Sequence, residues 1–385
     1  MQKDQVECIM DLGSSKFRFS VINKDLAREI INKEKKIFSD VQIDKSKPAQ
    51  VFDEIIKNSE KDIGLHIKNI NIIADNKNLF SIDLSIKKSF EGKNISQADF
   101  EFLEMEAKKI IEENYNDYIV IHSVVQKFFI DDKEYDSFQF KYAKFKYLSL
   151  TIKFLCYPKK AYQNIISLLN NNHIELKSFG CSSFVKSKSY NFQFPEYEYK
   201  FFLDIGYEKT ILSIYKNDIL KNFNIIKIGG LNITKDISKI LKIEIFDAEK
   251  LKIKMHETEV TFSDQTDYKF TSEEDLVKKI IFARVEEIFN LSFQNINFFE
   301  DIKKVKSILI FTGEGSKILE NNSIYLNKLF ESFDDIHYLE ETSSKICMAS
   351  HKFSAKEKLK NSSKPINVQE KTGFFENFFN LFSKI

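Results

Sequence analysis

The sequence predicts an α/β protein of two related lobes facing each other across a cleft, with a small α+β module inserted before the first lobe is complete. Three observations carry this. The stretch Tyr199–Leu220, YKFFLDIGYEKTILSIYKNDIL, reads as a strand, a tight turn at Asp204–Ile205–Gly206 and a second strand. The same construction opens the chain in Cys8–Ile22, CIMDLGSSKFRFSVI; superposed, the two place Asp11 on Asp204, Gly13 on Gly206, Lys16 on Lys209 and Ser20 on Ser213. A device used twice, about half a chain apart, points to two halves of common design. Between Phe90 and Lys160 the pattern changes to a helix followed by long strands, which marks the inserted module.

The composition narrows the function classes. A chain of 385 residues is too long for one compact core, so several subdomains are expected. The 58 basic and 57 acidic residues leave a net +1, so no global field draws the protein onto nucleic acid and no nucleic-acid partner is expected. Cys8, Cys156, Cys181 and Cys347 are far apart, which predicts reduced and mostly buried thiols. The 6 histidines form no metal-ligand spacing. The first strand begins without a charged-then-apolar leader, so secretion is not expected. No apolar run approaches the ~20 residues of a membrane span. Arginine occurs only at Arg18, Arg28 and Arg284, and its planar fork is not replaceable by lysine.

In chain order, Val6–Ile22 gives the first hairpin, and Ala27–Phe38 an extended piece. Pro48–Lys61 is a helix on the spacing of Val51, Phe52, Ile55 and Ile56, and Ile67–Ala74 a buried strand. The order β-β-β-α-β resembles one half of an actin-type fold. Ser96–Glu113 is a helix opened by Ser96 and Asp99, close to a capping box, with Phe100, Leu103, Ala107, Ile110 and Ile111 as its stripe. Tyr118–Val125 and Lys146–Tyr157 read as strands, Ala161–Leu169 as a helix, and Ile174–Val185 as the return to the first half. Past the second hairpin, Lys227–Leu241 has a Gly-Gly turn and a helix capped at Thr234, and Asp247–Lys254 is a short helix capped by Asp247. Glu273–Gln294 is a long helix with Leu276, Ile280, Ile281, Val285, Ile288 and Leu291 inward. Val305–Ile318 is a strand running into Thr312-Gly-Glu-Gly-Ser316, followed by a short helix–strand tail ending near Cys347–Ala349. From Ser354 to Thr372 the Lys/Ser/Glu-rich composition reads as a linker.

Two opposed glycine turns can aim backbone N–H groups at a polyphosphate, with the hydroxyls of Ser14, Ser15 and Thr210 and the charge of Lys16 beside them. Asp11 and Asp204, at the ends of facing strands, are placed to hold Mg²⁺ through its waters. One Asp-x-Gly alone is an ordinary turn signature. Two copies followed by a late strand–TGEG turn make a nucleotide cleft the stronger reading, with Gly313 and Gly315 allowing close approach of an adenosine.

On these residues the chain resembles a known family. DLGSSK, LDIGYEKT, IGGLNITKDI, DAEKLK and FTGEGS, in this order, resemble the nucleotide-site segments of the actin-like ATPase superfamily. GG-x-x-IT-x-DI followed by AE-x-LK is similar to the bacterial cell-division FtsA family. The resemblance implies an actin-like (ribonuclease H-like) two-lobed fold with an inserted subdomain 1C. It divides the chain into subdomain 1A (1–88 and 173–197), 1C (89–172), 2A (198–228 and 305–352), 2B (229–304), a linker (353–371) and a terminal helix (372–385). It implies an ATP site of Asp11, Gly13, Ser14, Ser15 and Lys16 in the first loop and Asp204, Gly206, Lys209 and Thr210 in the second. Gly229 and Gly230 approach the nucleotide, Glu249 and Lys252 line the adenine–ribose side, and Gly313 with Gly315 make the adenosine turn. Tyr207–Lys209 replace the family's flexible second loop, and Glu314 stands where glycine is commoner. Weak or absent ATP turnover is the expectation.

Two further features concern partners. In Thr372–Ile385, TGFFENFFNLFSKI, the residues Phe374, Phe375, Phe378, Phe379, Leu381, Phe382 and Ile385 share one side of a helical wheel. At ~18 Å such a helix is too short to cross a bilayer; it suits the membrane surface, or docking on the protein's own core. Arg284 matches the place where FtsA-like proteins bind the FtsZ C-terminal tail; pairing with Glu286 or Glu287 is the plainer alternative. The resemblance thus implies a filament-forming adaptor at the cytoplasmic face of the bacterial inner membrane. It would tether FtsZ there and recruit later division proteins through subdomain 1C. A PilM-like pilus-assembly ATPase and an ATP-hydrolysing sugar-kinase relative are the alternatives on the same fold.

Overall fold

The computed structural model describes residues 6–37, 47–90, 96–131, 133–135, 146–257, 273–294, 296, 305–320 and 330–362. Two five-stranded sheets of the same topology form the lobes. In the first, β1 (Val6–Leu12), β2 (Lys16–Asn23) and β3 (Arg28–Lys36) run antiparallel, and β4 (Asn69–Ala74) and later β9 (Glu175–Gly180) add parallel to β1. In the second, β10 (Tyr199–Ile205), β11 (Thr210–Lys216) and β12 (Ile219–Ile226) repeat the meander, and β13 (Ser307–Thr312) and β14 (Asp335–Tyr338) add parallel to β10. The duplication read from the two hairpins therefore extends to the whole sheets.

The strands that start each lobe are apolar throughout because both faces of each sheet are covered. In the first lobe Met10, Phe19, Ile70 and Ile72 pack against Val51, Phe52, Ile55 and Ile56 of α1 (Lys47–Ile63). Between β4 and β9 of the first lobe the chain inserts the module: β5 (Phe80–Ser89), α2 (Gln97–Asn114), β6 (Tyr118–Ile130), β7 (Lys133–Tyr135), β8 (Tyr147–Pro158) and α3 (Lys159–Asn171). Its antiparallel sheet has the order β5-β8-β6-β7, and α2 covers it with Leu103, Ala107 and Ile111. The expected capping box is present: Asp99 N–H donates to Ser96 Oγ at 3.3 Å and Ser96 N–H to Asp99 Oδ2 at 2.9 Å. Ile110, expected in the stripe, is 41% exposed. All of Phe80–Ser89 but its last residue falls inside the 1–88 stretch given to the first lobe, yet β5 is hydrogen-bonded to β8 of the module.

The module also touches the second lobe. Gln126 Nε2 donates to the carbonyls of Leu220 and Lys221 at 3.1 and 2.8 Å, and Ser81 Oγ to that of Phe223 at 2.7 Å.

Helix α4 (Ser182–Tyr190) carries the chain from the first lobe to the second. There α5 (Gly230–Leu241), α6 (Ile245–Glu257) and α7 (Glu273–Phe293) cover one face with Ile233, Ile237, Ala248, Val277, Ile281, Val285 and Ile288. Two sequence expectations are corrected here. Gly229, not Thr234, precedes α5; Thr234 is fully buried inside it, its Oγ1 3.0 Å from Gly230 O. Asp247 sits in the first turn of α6, which starts earlier, at Ile245. The last helix, α8 (Ser343–Ser362), runs into the stretch read as a linker, where Ala355–Lys360 are good helix formers. It returns to the first lobe, placing Cys347 against Ile9 and Ile22, and Ile346 against Ile73 and Val185. All four cysteines are buried and free, as expected. The terminal helix and its seven apolar residues lie outside the described residues.

Candidate functional site

The cleft opens at the carboxyl ends of β1, β4, β10 and β13, where parallel strands leave a crevice. Its cavity has a volume of about 70 Å³. Eight of the residues predicted from sequence line it: Asp11, Gly13, Ser14, Ser15, Asp204, Gly206, Lys209 and Gly313. Gly313 is obligatory at its turn. Its φ is +84°, and a Cβ there would stand 2.3 Å from Asp204 Oδ1. The hydroxyls of Ser14 and Ser15 have no hydrogen-bond partner among the described residues, and neither has the Lys209 ammonium, although Lys209 is only 8% exposed.

The two carboxylates expected to hold magnesium already have cations. Asp11 and Arg18 are directly opposed across the β1–β2 ladder, so their side chains share a face. Arg18 Nη1 donates to Asp11 Oδ2 at 2.7 Å, and Ser182 Oγ to its other oxygen at 2.8 Å. Asp204 is opposed by Ile211, so its cation comes from elsewhere. Lys186, on the inner face of α4, lies 2.8 Å from Asp204 Oδ2 and 3.1 Å from Glu341 Oε2. Ser183 Oγ lies 2.8 Å from Asp204 Oδ2 and donates to Asp75.

Burial pushes the Asp204 carboxyl up, but the Lys186 charge and the bonds from Lys186 and Ser183 outweigh it, holding the group below the usual carboxylate range. Glu341 goes the other way. Burial dominates, Lys186 offsets it only in part, and the group is raised; its Oε1 has no partner among the described residues. With Arg18 and Lys186 in these positions, Asp11 and Asp204 do not fit a hydrated magnesium ion. The approach to each carboxylate is occupied by a side chain that already supplies the charge.

Glu314 completes the arrangement. Lys16 pairs with it, and Arg18 Nη2 donates to its Oε1 at 3.0 Å. Burial raises the Glu314 carboxyl, and the hydrogen bond from Lys16 with the charges of Arg18 and Lys16 brings it below its usual value.

The adenosine side is arranged differently from the expectation. Thr210 Oγ1 donates to Ile228 O at 2.8 Å and faces away from the cleft. Glu249 accepts from Thr234 and from Lys252 at 2.7 Å, and Lys252 donates also to Gly230 O at 3.1 Å. Gly230 N–H donates to Gly206 O at 2.9 Å, and Leu231 N–H to Tyr207 O at 2.7 Å. A methyl group on Gly230 would lie 3.8 Å from the Gly315 Cα. A flat ring needs about 3.5 Å on each side, so Gly230 and Gly315 leave no gap for a base between them.

Arg284 on α7 is engaged within its lobe, donating through Nε to Asp236 at 2.7 Å and through Nη1 to Glu287. The Glu287 pairing was the plainer of the two sequence readings; Asp236, a turn of α5 away in space, was not foreseen. Four charged site residues were also missed, Lys186, Asp75, Glu341 and Arg18, together with the hydroxyls of Ser182 and Ser183. Only Arg18 carried a signal, as one of three arginines at the far side of the Asp11 turn.

The model of the cell division protein FtsA family matches residues 201–361. No curated protein sequence matches the chain. Among solved structures, the PilM–PilN type IV pilus biogenesis complex aligns at 12% identity over 91% of this chain and 98% of that one, with a TM-score of 0.63. MreB5 of Spiroplasma citri bound to ADP aligns at 11% identity over 94% of this chain and 100% of that one, with a TM-score of 0.50. At such identities these likenesses show the fold, which is that of the actin-like ATPases.

Proposed function

We propose that this chain of actin-like fold is an FtsA-like protein and works as an adaptor of the bacterial division machinery rather than as an enzyme. It self-associates into filaments and tethers FtsZ to the cytoplasmic face of the inner membrane. It contacts later division proteins through the inserted module. The observation that carries this reading is the FtsA match, which spans the second lobe and includes Arg284 and α7. No helix among the described residues is long and apolar enough to cross a membrane, which agrees with attachment at the surface through residues 372–385. For Arg284 to take a peptide carboxylate, the exposed Glu287 gives way while Asp236 keeps the guanidinium aimed.

ATP is the ligand the resemblance implies, and MreB5 is described with ADP. Here ATP enters only by displacing Glu314 from Lys16 and Arg18, so turnover is weak or absent.

Co-sedimentation with liposomes, with and without residues 372–385 and in the presence of an FtsZ tail peptide, tests the adaptor. Loss of lipid binding on truncation and retention of peptide binding are expected; binding to neither lipid nor peptide sinks it. ATP turnover well above ~1 per second would favour an enzyme instead.

The alignment over nearly all of PilM favours a second reading, a pilus-assembly component. Binding of PilN with no response to the FtsZ tail would select it.

A further inference from the structure

The side chains that occupy the cleft also join its two walls. Lys16 and Arg18 project from β2 of the first lobe and both reach Glu314 on the turn after β13 of the second. Ser183 on α4 stands between Asp75, which follows β4, and Asp204 at the end of β10. Ser343, at the start of α8, donates to Glu34 of β3.

These are the contacts a bound ligand would make. Lys16 is the cation of the first turn that a phosphate would recruit, and the Glu314 carboxylate offers it a fixed negative charge instead. Arg18 and Lys186 stand against Asp11 and Asp204, where a dication would stand. The bases leave no surplus of positive charge. Asp11 has Arg18, Glu314 has Lys16, and Asp204 and Glu341 share Lys186, while Asp75 and Lys209 remain as one acid and one base. A triphosphate entering this cleft meets a surface with no such surplus rather than a basic one, and an adenosine meets backbone already in contact.

We propose that the cleft is self-liganded: Glu314 takes the part of the bound phosphate, and Arg18 with Lys186 the part of the metal. The lobes then close on each other with neither metal nor nucleotide. Membrane and peptide binding are separate properties of the chain, so failure of one leaves the other intact.

The full chain is tested by thermal unfolding and small-angle scattering in EDTA and in millimolar Mg²⁺ with ATP. Expected for the natural sequence are a shift in melting temperature below about 1 °C and an unchanged radius of gyration. A rise of about 4 °C or more, or compaction on adding the ligand, overturns the proposal. Glu314→Gly frees Lys16 and Arg18 and is expected to melt earlier in EDTA and to gain a rise of about 4 °C or more with millimolar tripolyphosphate, which has neither a base nor a need for the metal. Should that variant fail to fold, Glu314→Gln keeps the side-chain volume and is read in the same way. If the folded variant gains no response to tripolyphosphate, Glu314 is not standing in for a phosphate and the proposal falls.

Discussion

The two hairpins share a topology, a carboxylate and a glycine turn, yet they neutralise the carboxylate by different routes. Asp11 takes its cation from its own hairpin, because the antiparallel register sets Arg18 directly opposite. Asp204 has Ile211 in that place and borrows Lys186 from the helix that leaves the first lobe. The first pair is therefore a property of one lobe alone. The second forms only when α4 and the second lobe are docked, so it reports on the joint between the halves. The duplicated backbone fixes where the charge sits; the substitution opposite it decides which part of the molecule answers.

Removing each cation separates the two routes. Lys186→Met keeps the stem but leaves buried Asp204 and Glu341 without their ammonium, and should cost about 3–5 kcal/mol in urea unfolding. A loss below about 1 kcal/mol would mean that the contact behaves like a surface ion pair and is not part of the joint. Arg18→Met should cost less, about 2–3 kcal/mol, because Asp11 keeps the Ser182 hydroxyl and Glu314 keeps Lys16. An Arg18 effect equal to or larger than that of Lys186 would reverse the ranking of the two routes.

The smallest effect concerns pH. Asp204 and Glu314 lie below their ordinary values of 3.8 and 4.5, so their contribution is present above those values and is lost as pH falls through the folded-state values. Glu341 lies above 4.5, so its contribution is present below that value and is lost as pH rises through its folded-state value. Glu341→Gln keeps an acceptor for Lys186 and removes only the second dependence. Melting curves from about pH 4 to 8 should show the variant gaining on the natural protein as pH rises, by under about 1 kcal/mol. A constant offset across that range would show that the carboxyl does not titrate there.

Much of the fold was legible because it is local. Both hairpins, α1, the Ser96–Asp99 box and the strand into Gly313 each follow from a period or a cap within a few residues. Strand β5 was missed, although Phe80, Ile82, Leu84 and Ile86 alternate, and nothing local says that its partner is β8 across the whole module. The site divides in the same way. Asp11, Gly13, Asp204 and Gly313 announce themselves by turn chemistry. Lys186, Asp75 and Glu341 do not, since each is a common residue type brought in from a different element, and only tertiary contact makes them a set. Thr234 looked like a cap because threonine favours that place. Gly229 takes it instead, because a Cβ at residue 229 would stand 2.6 Å from Gly206 O.

Helix α8 leaves the second lobe and ends on the sheet of the first, with Ile346 and Cys347 seated there and His351 Nδ1 2.6 Å from Glu7 Oε2. Mechanically, the chain beyond Ser362 is thus hitched to the lobe that precedes it, not to the one it has just completed. A pull applied there is borne by α4, where Ile346 meets Val185 and Phe353 meets Phe184, and by β1 and β2. It reaches the cleft as shear along α8 and through Ser343 and Glu34, not as a force prising the lobes apart.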